Sequence, residues 1–600
     1  MGLIKRIGNE ITFLRAALRT LKKATAIREN TTHTFADTVE ELARTKPNNV
    51  AIYFEDRKIT YREYNEAANR YARWAKGQGL GRGDVVALMM ENRPEYLVAW
   101  LGIIKAGATA ALINTNLTKG PLAHCLNISN ASHLILGAEL AESYSTAGDQ
   151  LDRPMTVWAT GGNVQGANNL DAALGQQSGD ALPGDFRAGL TTEDDALYIY
   201  TSGTTGNPKA ARIPHVRLMT MMAAFAAAAN TNEKDRMYVV LPLYHSAGGV
   251  CAVGSTLTVG GSVIIRQKFS ATNFWDDTHK YGATLFQYIG ELCRYLLNTN
   301  KHPKETRHKL RMVIGNGLRP EIWPAFQKRF KIPHILEFYG ATEGNVALMN
   351  FDGTQGAIGR VPGWAKKKFN VEIVKFDIEN EKPVRGPDGF CILAEPGEAG
   401  EALGRISNDP DRPTGRFDGY AKKEETEKKI LRDVFEKGDE WFRTGDLLRQ
   451  DTRGYYYFVD RIGDTFRWKG ENVATSEVAE AISVFPGVKE ANVYGVHVPG
   501  ADGRAGMASI VAENGSLDLD HFRTQMQKEL PDYAVPVFVR LQPEIEITGT
   551  FKHRKVELVK EGFDPSVVPD PIYFNCPVQK KYVPVDQGLY GNICAGELRL

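Results

Sequence analysis

Residues 198–209 read YIYTSGTTGNPK. Tyr198, Ile199 and Tyr200 read as the end of a strand. The hydroxyls of Thr201, Ser202, Thr204 and Thr205, the glycines Gly203 and Gly206, and the cation Lys209 then fall within nine residues. Backbone N–H groups and hydroxyls in a Gly-rich turn form a concave donor cluster that suits phosphate oxygens, and glycine lets the backbone approach closely. The same residue types also build an ordinary polar hairpin turn. A Walker A loop is disfavoured, because Lys209 follows Asn207 and Pro208 and is not the lysine of a Gly-Lys-Ser/Thr ending.

On either side the chain has a globular character. It holds 600 residues, 42 % hydrophobic and 24 % charged, enough for more than one domain. The formal net charge of +1 offers no global field for nucleic acid or membrane. Six cysteines are scattered without paired spacing, which disfavours a zinc site or a disulfide framework and fits a reducing compartment. Lys105 interrupts the apolar stretch 96–115, and residues 247–265 are rich in Gly, Ser and Thr, so neither reads as a membrane span.

From Thr34 to about Gln450, apolar runs such as VVALMM (85–90), YVVLPL (238–243), SVIIR (262–266) and RMVIGNG (311–317) alternate with helical stretches. That rhythm predicts an α/β protein with mixed, largely parallel sheets. Near Asp460 the character changes. A helix (476–484), a strand (490–498) and a second helix (518–530) predict a small α+β domain. The last 25 residues, 576–600, read as a tail on the surface. The basic run KHPKETRHKLR (301–311) reads as a solvated helix face.

The N-terminus stands apart. Ile4, Ile7, Ile11, Leu14, Leu18 and Leu21 recur at steps of three and four, among Lys5, Arg6, Arg15, Arg19, Lys22, Lys23 and Arg28. This is a basic amphipathic helix. Two readings are open: packing on the body or on a second copy as a homodimer, and peripheral membrane contact through residues 1–28. A signal peptide is disfavoured, because the apolar run is never continuous.

YTSGTTGNPK resembles the phosphate-binding signature of the adenylate-forming superfamily of acyl-CoA synthetases, adenylation domains and luciferases. Further motifs follow in the family's order. EFYGATEGN (337–345) resembles its Tyr-Gly-x-Thr-Glu motif. The likeness implies that Tyr339 stacks on adenine beside Gly340, that Thr342 touches phosphate, and that Glu343, with Thr204, holds Mg²⁺. GNGL (315–318) resembles the segment along the adenine, which makes Gly317 a contact. WFRTGDLLRQD (441–451) implies Asp446 on the ribose hydroxyls. DRIGDTFRWKGENVATSEV (460–478) resembles the hinge, with Arg461 on ribose or phosphate and Asp460 and Gly463 at the pivot. Many relatives carry Asp or Lys where Gly463 stands. EITGTFKHRKVEL (546–558) resembles the catalytic-lysine motif and places Lys552 there, although Phe551 stands where many members have glycine.

Longer phrases, YIGELCRYLLN (288–298), VHVPGADGRAGMA (496–508) and ITGTFKHRKVELVKEGFDP (547–565), resemble the fatty acid transport protein and very-long-chain acyl-CoA synthetase family, in a bacterial-style member. The resemblance implies an N-terminal helix (1–30), a large adenylation domain (31–460), a mobile C-terminal domain (461–575) and the tail. It implies a ligase that joins fatty acid to CoA with ATP and Mg²⁺ through an acyl-AMP, in the cytoplasm or peripherally on the inner face of the cell membrane. Fatty acid uptake, direct or by CoA trapping, and delivery to a carrier protein are the alternatives. In LPLYHSAGG (241–249), His245 falls where relatives position the acyl carboxylate, and Gly248 and Gly249 fall where some place a bulky gate. A wide acyl tunnel past Phe286, Tyr288 and Ile289 is the corresponding expectation.

Overall fold

The strand Val85–Met89 is buried along its whole length, and it lies between parallel neighbours. Parallel strands joined by crossover helices are covered on both faces, so they read as continuous apolar runs. The computed structural model describes residues 3–201, 208–407, 415–469, 471–501, 503–545 and 555–598; for residues 3–7, 367 and 368 it describes the backbone alone.

Among the described residues the large domain holds two such sheets. One has seven strands, in the order Asn168–Asn169, Thr156–Thr160, His133–Gly137, Val85–Met89, Thr109–Leu112, Asp195–Thr201 and Lys209–Pro214. The other has eight and runs from Ala347–Asn350 through Ile335–Gly340, Met312–Asn316, Leu285–Ile289, Arg236–Val239, Ser262–Ile265 and Val50–Phe54 to Arg57–Thr60. Antiparallel pairing is confined to the sheet edges. A third, antiparallel sheet is built on Glu440–Gln450 and includes Tyr455–Arg461, Ala399–Arg405 and Val371–Asp377.

Local chemistry sets the helix boundaries. Thr60 and Glu63 form a capping box at the start of Tyr61–Gly77. Pro94 opens Pro94–Lys105, where a missing N–H costs nothing. Lys105, the charge that interrupts the apolar stretch, is fully buried. Its ammonium donates to Glu40 Oε1 (2.7 Å), Asn65 Oδ1 (2.6 Å) and Asn69 Oδ1 (2.7 Å), and burial lowers its pKa to about 8. All three of its donors are satisfied, so the charge is tolerated inside the fold. No described helix is long and apolar enough to cross a membrane.

The small domain carries a five-stranded sheet, Val488–His497, Arg504–Ala512, Phe538–Leu541, Ile572–Cys576 and Lys581–Pro584. Two readings need correction here. Most of 576–600 is no tail: Lys581–Pro584 is an edge strand, Gln587–Cys594 is a helix, and Tyr582, Val585 and Ile593 are buried in the domain's core. Residues 301–311 are not a helix either but a turn-rich connection. In it Lys304 pairs with Asp276 (2.7 Å) and Arg311 with Asp235 (2.8 Å), while Lys301, Arg307 and Lys309 are exposed to solvent.

Candidate active site

The strands Asp195–Thr201 and Lys209–Pro214 form an antiparallel hairpin that pairs Thr201 with Lys209. Ser202, Gly203, Thr204, Thr205 and Gly206 lie outside the described residues, as does Lys552. The return strand fixes the start of Lys209. Its Nζ lies 2.5 Å from Glu425 Oε2 and 5.7 Å from the Tyr420 ring centroid. The lysine's hydrogen bond holds the Glu425 carboxyl down to about 2.

Tyr420 is placed by backbone. Residues 419–421 extend the hairpin through Arg212 N–H to Gly419 O (3.1 Å) and Ala421 N–H to Ala210 O (2.9 Å). The Tyr420 hydroxyl then donates to Glu343 Oε1 at 2.7 Å. Glu343 sits after the strand Ile335–Gly340, in a loop held by a buried guanidinium. Arg217 donates to the carbonyls of Thr342 (2.6 Å) and Gly344 (2.5 Å). The Thr342 hydroxyl meets Ser246 Oγ at 2.8 Å. Ser246 follows His245, whose Nδ1 accepts from Ala247 N–H at 3.3 Å. A chain of contacts thus links Lys209 through Tyr420 to Glu343, and the adjacent Thr342 through Ser246 to His245.

The second group is continuous with the first. Tyr339 Oη donates to Asp446 Oδ2 at 2.6 Å, and Arg461 Nε stands 3.8 Å from Asp446 Oδ1. The register Asp446↔Arg461 puts the last two side by side on neighbouring strands. Gly340 ends its strand opposite Ala347. Gly317 adopts φ +77°, a conformation that favours glycine. Its N–H donates to Glu337 Oε2 (3.1 Å), the Leu318 N–H to Glu337 Oε1 (3.0 Å), and the Tyr288 hydroxyl to Glu337 Oε1 (2.6 Å). Burial pushes the Glu337 carboxyl up to about 8.

Lys429, Tyr420, Arg217 and Glu337 belong to this constellation, and the sequence reading missed them. Lys429 is the most informative. Its ammonium donates to Arg443 O at 3.4 Å and lies 5.8 Å from the Phe442 ring centroid. Burial lowers its pKa, while the Glu343 and Asp446 carboxylates oppose that fall and the Lys209 charge adds to it. A half-buried cation with one long hydrogen bond suits an anionic ligand.

A divalent cation was tested against the donors present. Among the described residues no three His, Cys, Asp or Glu side chains converge. Glu343 supplies one hard carboxylate beside Lys209. That fits Mg²⁺, which is ordinarily held by one or two carboxylates together with nucleotide phosphates.

The two glycines at the expected gate have a packing reason of their own. A Cβ on Gly248 would stand 2.4 Å from Pro242 O, and one on Gly249 2.4 Å from Leu243 O. Close backbone packing therefore requires glycine at both positions, and an open gate is not needed to explain them. Phe286 and Tyr288 are fully buried in the core.

At the hinge, Gly463 has φ +93°, with nothing within 4 Å of a notional Cβ. Asp460, on the last strand of the large domain, is buried. Its Oδ2 accepts from Thr475 N–H (2.6 Å), Thr475 Oγ1 (3.0 Å) and Thr465 Oγ1 (3.2 Å). One carboxylate thus binds the start of the small domain's first helix, Thr475–Ser483, to the large domain.

Two family matches cover most of the chain: "AMP-binding enzyme" over residues 39–403 and "AMP-binding enzyme C-terminal domain" over 477–552. The chain belongs to the AMP-binding enzyme family. It is 43 % identical over 566 residues to long-chain fatty acid transport protein 2 of Rattus norvegicus, a match covering 93 % of this chain and 90 % of that protein. It is 42 % identical over 568 residues to long-chain fatty acid transport protein 1 of Mus musculus, covering 94 % and 87 %. These matches place it in the fatty acid transport protein branch. Among solved structures, an anthranilate CoA ligase in complex with anthranoyl-AMP superposes with TM-score 0.74 at 22 % identity, covering 89 % of this chain and 98 % of that one. ATP-bound MatB from Rhodopseudomonas palustris gives 0.72 at 24 %, covering 88 % and 98 %. At such identities the likeness establishes the adenylate-forming fold. By family the chain is an adenylate-forming acid–CoA ligase.

Proposed function

We propose that the chain converts long-chain or very-long-chain fatty acids to their CoA thioesters, with ATP and Mg²⁺, on the cytoplasmic side of a membrane, and that trapping the acid in this way drives its uptake. The observation that carries this reading is that residues of three separate sequence motifs are linked by contacts: Lys209 and Glu343 both meet Tyr420, and Asp446 meets Tyr339, four residues before Glu343.

In the first half-reaction a fatty acid carboxylate oxygen attacks the α-phosphorus of ATP, and the bond to pyrophosphate breaks. Negative charge builds on the phosphoryl oxygens, so preorganised cations and donors lower the barrier. Lys209 and Lys429 supply charge from the large domain, and Thr342 a hydroxyl. Thr201, Ser202, Thr204, Thr205 and the backbone at Gly203 and Gly206 are assigned to the phosphates by motif. Asp446 and Arg461 hold the ribose, and Tyr339 and Gly317 flank the adenine. Glu343, with Thr204, would hold Mg²⁺, which when bound neutralises phosphate charge. His245 orients the carboxylate. Lys552 is brought in by the small domain.

In the second half the CoA sulfur attacks the acyl carbon, the acyl–phosphate bond breaks, and AMP leaves. Lys552 serves the first half alone, so the small domain turns about residues 460–464. Gly463 is the pivot, since glycine has the widest backbone freedom and nothing crowds this one.

The test supplies ATP, Mg²⁺, CoA and fatty acids from medium to very long chain, and measures pyrophosphate and acyl-CoA. Acyl-CoA formation that rises with chain length is expected. Pyrophosphate without acyl-CoA would replace CoA by a carrier-protein acceptor. No pyrophosphate with any acid would overturn the reading.

A further inference from the structure

The N-terminal helix Leu3–Ala24 packs on the helix His215–Ala228, and Ile11, Leu18 and Leu21 of its apolar stripe stay outside that contact. Its buried side chains, among the described residues, are Phe13, Ala16 and Ala24, with Phe13 edge-on to Phe351 at 5.8 Å. Two further ties hold this face. Arg19 donates to the carbonyls of Ala227 (2.5 Å) and Ala228 (3.2 Å), which satisfies the end of the supporting helix, and Glu10 pairs with Arg360 at 2.6 Å. At 100° per residue, Leu18 lies about 140° around the helix from Phe13. Ile11 is 44 % exposed, Leu18 64 % and Leu21 47 %. Arg15, Lys22 and Lys23 beside them are exposed as well. The helix is thus anchored by one face and presents a second, apolar and basic face to solvent.

A separate segment adds to it. Four residues beyond Arg360, the sequence GWAKKKF (363–369) exposes Trp364 at 67 % and Phe369 at 39 %. The Arg360–Glu10 pair ties this segment to the start of the helix. Aromatic and aliphatic side chains interleaved with lysine and arginine match the chemistry of an anionic lipid headgroup layer, where rings and alkyl groups enter and cations stay with the phosphates. A second copy fits worse, because a two-fold contact would set Arg15 and Lys22 against their own counterparts.

We propose that the outer face of Leu3–Ala24 is a docking surface for an anionic lipid bilayer, and that the exposed Trp364–Phe369 segment adds a second contact to it. The inference deepens the membrane-side part of the reading above, by naming the residues that dock and the charge of the lipid they select. A helix rigidly anchored to the body would fix the orientation of the whole enzyme on the bilayer.

The test is flotation of the full chain with phosphatidylcholine vesicles and with vesicles carrying about a third phosphatidylglycerol. Strong binding to the anionic vesicles alone, weakening as salt rises, is expected. Leu18→Asp with Leu21→Asp should lower binding at least about tenfold, and Trp364→Ser with Phe369→Ser should lower it by a smaller factor. All four side chains are exposed, so the variants should melt like the unmodified chain and form octanoyl-CoA from soluble substrate at its rate. Unchanged flotation of the variants, or none by the unmodified chain, would overturn the proposal. So would a dimer, seen by light scattering, that the leucine variants dissolve without any vesicle binding. Loss of octanoyl-CoA formation in the unmodified chain would instead strike at the ligase reading and leave the flotation result to stand by itself.

Discussion

At the scale of single residues, Lys429 makes the sharpest demand. Its ammonium makes one long hydrogen bond, 3.4 Å to Arg443 O, and burial lowers its pKa, so it is poorly satisfied until an anion arrives. Lys429→Ala should weaken AMP binding by about tenfold, the effect of losing one charge-assisted hydrogen bond, and leave adenosine binding unchanged. Calorimetric titration of both ligands checks this, and equal losses for both would mean that Lys429 merely supports the fold. Glu337 makes a demand of a different kind. Burial raises its carboxyl from the ordinary range to about 8. Between those limits the folded chain holds a proton that the unfolded chain releases, so stability falls as pH rises through that window. Glu337→Gln should flatten this part of the stability–pH curve, as read by denaturant titration at several pH values. Neither residue was legible in the sequence. Lys429 is one of two adjacent lysines, and Glu337, although it opens the stretch 337–345, carries no sign of its burial, which is decided by chain segments far away. Lys209, Glu343 and Asp446 were legible because each sits in a motif whose neighbours are constrained.

At the scale of elements, Asp460 joins the two domains through three hydrogen bonds from Thr475 and Thr465. Asp460→Ala would leave those donors buried and unmet, at a cost of about 3 kcal/mol. The small domain should then be released first, seen as earlier proteolytic cutting near residues 460–464 while the large domain stays resistant. Simultaneous loss of both domains would contradict this. The alternation of apolar runs and helices was plain from Val85 onward, because parallel strands buried on both faces write their burial directly into the sequence. The strand Lys581–Pro584 was not plain: it has four residues, one of them buried, and its place is decided by pairing with Ile572–Cys576. The N-terminal stripe was visible as a period but misleading as a contact. Periodicity reports which residues share a face, not which face meets the protein.

At the scale of the whole molecule, two domains divide the chemistry. In the proposed reaction the large one would hold the nucleotide, and the small one would bring Lys552, which the first half-reaction alone would use. Fatty acid arrives from lipid while ATP and CoA arrive from water, so a surface that orients the enzyme on a bilayer shortens the path of the least soluble substrate. The division between domains is the central claim, and one measurement reaches it directly. Lys552→Ala is given either ATP with palmitate and CoA, or preformed palmitoyl-AMP and CoA, and palmitoyl-CoA is followed in both. The account predicts a loss of at least about a hundredfold in the first assay, within the range for a positioned catalytic group, and a rate close to that of the unmodified chain in the second. Equal losses in both assays, or none in either, would contradict it.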